Sequence, residues 1–179
     1  MMFVPREILK HADLKGKICL EIGTYEGKTA KWFLSKGALR VICIDPWLET
    51  YLPDFHEPRW NYFKGQYQRF LVNTRHVSDA LEVYRGFSQE VYGVLEDKYR
   101  GSIDCIYIDG DHREEAVYCD GKMYLSLLKP LGIMCFDDYK WGYSKDKMCT
   151  KRGIDRFLVD FADAIDVLHK NSKVIVRKR

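Results

Sequence analysis

Carboxylates recur where apolar runs of this 179-residue chain end. Glu21 lies near the end of "KICLEIG" and Asp45 closes "RVICID". Asp109 and Asp111 follow "IDCIYI", with His112 next, and Asp137 and Asp138 close "IMCFDD". A carboxylate like Asp45, about 20 residues beyond a glycine turn, accepts hydrogen bonds from both hydroxyls of a ribose diol. Repelling acids gathered on one rim serve a ligand or a cation. Taken singly, each acid also reads as a helix cap or a solvated loop residue. Four clusters at four strand ends carry more weight than any one of them.

The stretch "EIGTYEGKTA", residues 21–30, poses a choice between two nucleotide sites. A phosphate-cradling loop is G-x-x-x-x-G-K-[ST]. Here only three residues separate Gly23 from Gly27-Lys28-Thr29. The lysine is misplaced by that deletion, and Glu21 and Glu26 repel phosphate. In favour of a triphosphate, "CIYIDGD" resembles the strand whose aspartate helps to hold magnesium. An adenosine-type ligand without phosphates fits the acids better. S-adenosylmethionine offers a sulfonium, an ammonium and a ribose diol, and carboxylates suit all three.

These residues need a scaffold that brings strand ends together. Apolar runs at 17–23, 40–45, 81–86, 103–111 and 133–139 read as strands. Amphipathic segments at 27–37, 59–75, 88–99, 113–132 and 153–165 read as helices. Ser88 is placed to cap the third of these, and Pro130-Gly132 to stop the fourth. In 59–75, Trp60, Phe63, Tyr67, Phe70 and Leu71 share a face. Residues 166–179 read as two strands around a turn at Lys170-Asn171-Ser172. The alternation predicts an α/β fold, a Rossmann-like doubly wound, mostly parallel sheet of seven strands with an antiparallel C-terminal strand. In such sheets the ligand sits beyond the carboxyl ends of the strands.

Composition sets outer limits. Hydrophobic residues are 46% and charged residues 31%, as in an ordinary globular domain, and residues 1–179 read as one domain. A net charge of +3 demands neither nucleic acid nor a membrane surface. No apolar run reaches the roughly 18–20 residues of a membrane span. The opening "MMFVPREILK" has no signal-peptide core. The six cysteines form no C-x-x-C pair and read as reduced thiols, which places the chain in the cytoplasm.

With these motifs assembled, the sequence resembles the class I S-adenosylmethionine-dependent methyltransferases. It is most similar to the Methyltransf_24 group, and less so to catechol and caffeoyl-CoA O-methyltransferases. "LEIGTYEGKTAKWF", "VICIDPW", "IDCIYIDGDHREEAVYCD" and "LLKPLGIMCFDDYKW" carry the resemblance in order. It implies that Glu21, Gly23, Thr24, Tyr25, Gly27 and Thr29 hold the methionine end of the cofactor. Asp45 takes the ribose, and Phe87, Ser88 and Gln89 read the adenine. Asp109 lies near the sulfonium. The resemblance also implies a divalent cation such as Mg2+ on Asp109, Asp137 and Asp138, with Asp138 standing where the catechol enzymes carry Asn. His112 occupies their catalytic lysine position, where an imidazole serves as general base for a hydroxyl. Capping of the next helix is its plainer role. Asp111 either orients His112 or meets substrate.

The expected reaction is methyl transfer to a hydroxyl of a sugar or phenolic small molecule. A cofactor-binding module without transfer, acting through protein contacts, is the second reading, and a P-loop-like nucleotide-binding protein the third. The aromatic segments 46–62 and 139–152, with Trp47, Trp60, Tyr139, Trp141 and Tyr143, are the expected acceptor contacts. They serve equally as a lid or as a contact between copies of the chain. Lys145, Lys147, Lys151 and Arg152 suit an anionic acceptor or are simply solvated. A nucleic-acid partner is not expected, since no broad basic face is present.

Overall fold

The computed structural model describes residues 4–48, 64–141 and 149–179. Seven strands form one sheet in the order β3-β2-β1-β4-β5-β7-β6. They are β1 (Ile18–Ile22), β2 (Arg40–Asp45), β3 (Leu81–Arg85), β4 (Ile103–Ile108), β5 (Leu128–Phe136), β6 (Ile165–Lys170) and β7 (Val174–Lys178). All pairings from β3 to β5 are parallel, and β7 alone runs antiparallel to its neighbours. The expected fold class is therefore the observed one.

Among the described residues, five α-helices cover the two faces. They are α1 (Lys28–Ser35), α2 (Gln66–Thr74), α3 (Ser88–Tyr99), α4 (Glu114–Tyr124) and α5 (Cys149–Asp160). Phe33 of α1 and Phe70 of α2 pack with Val41, Cys105 and Cys135 on one face of the sheet. Leu95 of α3, Tyr124 of α4 and Phe157 of α5 pack with Leu20, Ile42 and Ile106 on the other. Central parallel strands must be apolar on both faces. The runs of Ile, Val and Cys in β1, β2 and β4 meet that need.

Register decides which side chains meet at the carboxyl rim. Glu21 lies beside Cys43 on one side and Tyr107 on the other, and Tyr107 beside Cys135. Alternation along each strand puts these on the α1 face. Asp45, Asp109 and Asp137 follow two residues after Cys43, Tyr107 and Cys135.

Some boundaries differ from the sequence reading. The helix expected over 113–132 ends at Tyr124, and Pro130 lies within β5. The pairing jumps from Ile103–Leu128 to Cys105–Ile133, so Lys129–Gly132 bulge out of the ladder. A bulge tolerates the missing proline N–H. The helix expected over 59–75 is described from Gln66, and Trp60 and Phe63 lie outside the described residues. Leu71 is 41% exposed, so it does not share the buried face of Phe70. Ser88 is the first residue of α3 rather than its cap. Phe87 holds the cap position, and the Glu90 carboxylate accepts its N–H at 3.0 Å.

Candidate active site

The turn after β1 is built on backbone few side chains tolerate. Gly23 has φ +86°, Tyr25 +52° and Gly27 +78°. At Gly23 a Cβ would stand 2.1 Å from the carbonyl oxygen of Asp109, so only glycine lets the ends of β1 and β4 close up. Gly27 is needed for packing instead, since its Cβ would meet Thr74 at 2.5 Å.

Asp45 organises this turn. Its Oδ2 accepts the Tyr25 N–H at 2.8 Å and its Oδ1 the Trp47 N–H at 2.7 Å. The Trp47 indole in turn donates to the Tyr25 carbonyl at 2.6 Å. Burial raises the Asp45 carboxyl above its ordinary value, against these two backbone donors. The Tyr25 N–H is thus committed to a carboxylate rather than offered to a phosphate. Glu26 also turns away from the loop and pairs with Arg69 of α2. Trp47, expected to touch the acceptor, is fully buried against Tyr67 and Phe70 at ring distances of 5.0 and 4.7 Å.

A cavity of about 1440 Å3 opens over the rim. A single-ligand pocket holds roughly 300–1,000 Å3, so this one has room for a cofactor and a second molecule. Gly23, Tyr25, Asp45, Phe87, Ser88, Gln89, Asp109, Asp111, Asp137 and Asp138 line it. Glu21, Thr24, Gly27, Thr29 and His112 are not among its lining residues. Glu21 is 1% exposed. Its carboxyl is raised well above the ordinary range, chiefly by burial and next by the charge of Asp109. Its Oε2 is buried without a partner. Acidic side chains outnumber basic ones around the wall, which suits a cationic ligand. The short segment ahead of β1 takes part too, through Val4, Arg6 and Glu7.

The acids expected to share a cation divide into two groups. The Nε2 of His112 lies 3.0 Å from Asp138 Oδ2 and 3.6 Å from Asp109 Oδ1. One donor atom from each of Asp109, His112 and Asp138 falls within 4.8 Å of the others. Asp138 holds a left-handed backbone, φ +52°, with its N–H on Asp137 Oδ1 at 2.7 Å. Asp137 itself is claimed by the Lys173 ammonium and the Tyr107 hydroxyl. Asp111 does not orient His112; it pairs with Arg113 at 2.5 Å.

The charge state of His112 follows from its neighbours. Burial opposes its protonation, but hydrogen bonds and charges from Asp109 and Asp138 outweigh it and push the imidazole up to about 10. Asp138 is lowered by its hydrogen bond to His112. Asp109 is raised by burial, against His112 and with the charges of Asp137 and Asp138. The two flanking carboxylates thus favour the charged form of His112, while burial favours the neutral form of Asp109. The ring of Trp141 packs on His112 at 4.7 Å and is 41% exposed.

Sequence reasoning missed three residues here. Lys173 is 5% exposed in the turn between β6 and β7, and lines the cavity. Tyr107 is fully buried within β4. Asp120, 1% exposed on α4, has its carboxyl pushed up to about 7 by burial. An acid on the apolar face of an amphipathic helix was the one available signal. Lys151 and Arg152 of the basic cluster pair with Asp155 and Glu114. Tyr139 is buried and donates to Asp155, while Lys145, Lys147, Trp60 and Tyr143 lie outside the described residues.

A methyltransferase-domain family model, Methyltransf_24, matches residues 20–139, which span the turn after β1 and every acid at the rim. The chain belongs to this family. It is a class I methyltransferase domain by fold as well. An O-methyltransferase from Bacillus cereus, solved in complex with SAH, superposes at a TM-score of 0.71 with 17% identity, over 99% of this chain and 83% of that one. TomG from Streptomyces achromogenes, an O-methyltransferase of tomaymycin synthesis solved with SAM, gives 0.72 with 15% identity, over 99% and 81%. Protein R132 of Acanthamoeba polyphaga mimivirus is 27% identical over 127 residues, 68% of this chain and 51% of its own. The chain thus spans about half the length of that curated relative. No helix among the described residues is long and apolar enough to cross a membrane.

Proposed function

We propose that the protein transfers the methyl group of S-adenosylmethionine to a hydroxyl of a small molecule, a sugar or a phenol. The carrying observation is Asp45, poised by two backbone N–H groups at the end of β2, facing a cavity in which acids outnumber basic side chains. Each carboxylate oxygen has a second lone pair for a ribose hydroxyl. Glu21, with its orphaned oxygen, suits the ammonium of the methionine arm from beneath the turn, with Thr29 steadying it. Phe87, 41% exposed, offers a face to the adenine, and Ser88 and Gln89 its edge.

The acceptor is held beside Asp109, in the part of the cavity the cofactor leaves free. Its oxygen attacks the methyl carbon in line, the carbon–sulfur bond breaks, and S-adenosylhomocysteine leaves. The hydroxyl proton passes to the Asp109–His112 pair, where the raised carboxyl of Asp109 accepts it and the imidazolium steadies the neighbouring charge. A binding module without transfer has no use for this proton-accepting set.

With His112 neutral, so in place of its proton rather than beside it, Asp109, His112 and Asp138 present a donor set for one divalent cation. Two carboxylates and an imidazole suit a metal that accepts nitrogen as well as oxygen, and suit Mg2+, which favours oxygen, less. With Asp137 committed to Lys173, the all-carboxylate site fits the structure less well. A bound cation would acidify and orient the acceptor hydroxyl. The six free thiols, all buried but Cys119, agree with a cytoplasmic setting.

The test is transfer from methyl-labelled S-adenosylmethionine to a panel of sugars, catechols and phenols. Label on an acceptor oxygen supports the reading. Tight cofactor binding with no transfer to any acceptor class favours the binding module.

A further inference from the structure

Asp120 is an acid where an amphipathic helix would carry an apolar residue. It is 1% exposed, yet forms part of the cavity wall. Its Oδ1 accepts the Ser88 hydroxyl at 2.5 Å and the amide nitrogen of Gln89 at 3.2 Å. Tyr124, one turn further along α4, donates its hydroxyl to the Ser88 carbonyl at 2.8 Å and fixes the first turn of α3 against α4.

A glutamine amide offers a donor side and an acceptor side, and either can face a ligand. A carboxylate oxygen only accepts. Asp120 therefore takes the NH2 of Gln89 and leaves the carbonyl oxygen for a ligand in the cavity that Gln89 lines. Oδ1 accepts from the Ser88 hydroxyl as well, which holds it in the acceptor role.

We propose that Asp120 is a positioning residue that sets the base specificity of the cofactor pocket, fixing Gln89 to accept a hydrogen bond from the exocyclic amino group of a 6-aminopurine. A 6-oxopurine would set carbonyl against carbonyl and be rejected. The proposal rests on the S-adenosylmethionine reading above.

The test compares S-adenosylhomocysteine with its 6-oxo counterpart, S-inosylhomocysteine, by calorimetry on the full chain. The wild type is expected to prefer the adenosyl ligand by about tenfold or more, the worth of one hydrogen bond gained rather than lost. Gln89→Ala should weaken the adenosyl ligand alone and bring the ratio close to one. Asp120→Asn keeps an acceptor oxygen in the same place and should preserve the ratio, whereas Asp120→Ala removes the acceptor that holds the Gln89 NH2 and leaves the amide free to turn. In Asp120→Ala the ratio should fall, with the inosyl ligand binding more tightly. A merely structural role would weaken both ligands alike and keep the ratio. Should Asp120→Ala not fold, Asp120→Val, which fills the space without an acceptor, serves the same comparison. Equal affinities in the wild type, or a wild-type ratio in the variant that lacks the acceptor, overturns the proposal. If the wild type binds neither ligand, the cofactor reading has failed, and the specificity proposal with it.

Discussion

Lys173 and Asp137 face each other across the β5–β7 ladder, one step beyond the Phe136–Val174 pair. They close an ion pair with only 6% and 11% of their side chains exposed. Removing one partner of a buried pair strands the other charge and costs about 3–5 kcal/mol. Lys173→Met should therefore lower the melting midpoint by roughly 6–20 °C. Adding Asp137→Asn should recover part of the loss. A single variant that melts like the wild type would show that the pair contributes nothing.

His112 carries a pH signature. Its folded pKa of about 10 lies above the ordinary 6.5. The folded state thus holds a proton the unfolded chain releases. The stabilisation is fully present below about 6.5 and is lost as pH rises through about 10. In EDTA-treated protein, the midpoint gap between wild type and His112→Gln should be widest near the lower value and close at the upper. A gap that ignores pH contradicts the imidazolium assignment.

Gly23→Ala tests the junction of β1 and β4. Its Cβ would lie 2.1 Å from the Asp109 carbonyl oxygen, at φ +86°. The left-handed backbone alone costs an alanine roughly 1–2 kcal/mol, and the overlap must displace Asp109 as well. A folded but less stable protein, with at least about tenfold weaker affinity for S-adenosylhomocysteine, is expected, since about 1.4 kcal/mol is tenfold. Wild-type affinity would mean the turn does not shape the pocket.

Metal dependence separates the two acid groups at the rim. If a cation sits on Asp109, His112 and Asp138, Mn2+ should raise the melting midpoint more than Mg2+ does, and Asp138→Ala should abolish the effect. Turnover unaffected by EDTA would exclude a catalytic role for such an ion.

Much of this architecture is legible in the chain itself. The sheet follows from the alternation of Ile-, Val- and Cys-rich runs with amphipathic segments. The place of Asp45 is legible because an acid closing the apolar run after the glycine turn must fall at the carboxyl end of β2. What escapes is what depends on distant partners. Asp137 reads as one more rim carboxylate until β7 brings Lys173 to it from 36 residues away. His112 reads as a base until Asp109 and Asp138 are seen on either side of its Nε2. Trp47 reads as a ligand contact because an aromatic in an irregular segment has no period to betray its burial. Pro130 reads as a helix stop because a bulge leaves no mark in hydrophobic periodicity.

S-adenosylmethionine should occupy the cavity over Asp45. The most direct measurement is the melting midpoint with S-adenosylhomocysteine, and separately with Mg-ATP, on the wild type and Asp45→Ala. At about 100 times its dissociation constant a ligand adds roughly 2.7 kcal/mol, which raises the midpoint by roughly 5–10 °C for a chain of this size. That shift is expected with S-adenosylhomocysteine alone, and should be lost in Asp45→Ala. A shift with Mg-ATP alone would contradict it and make the turn at Gly23–Thr29 a phosphate site.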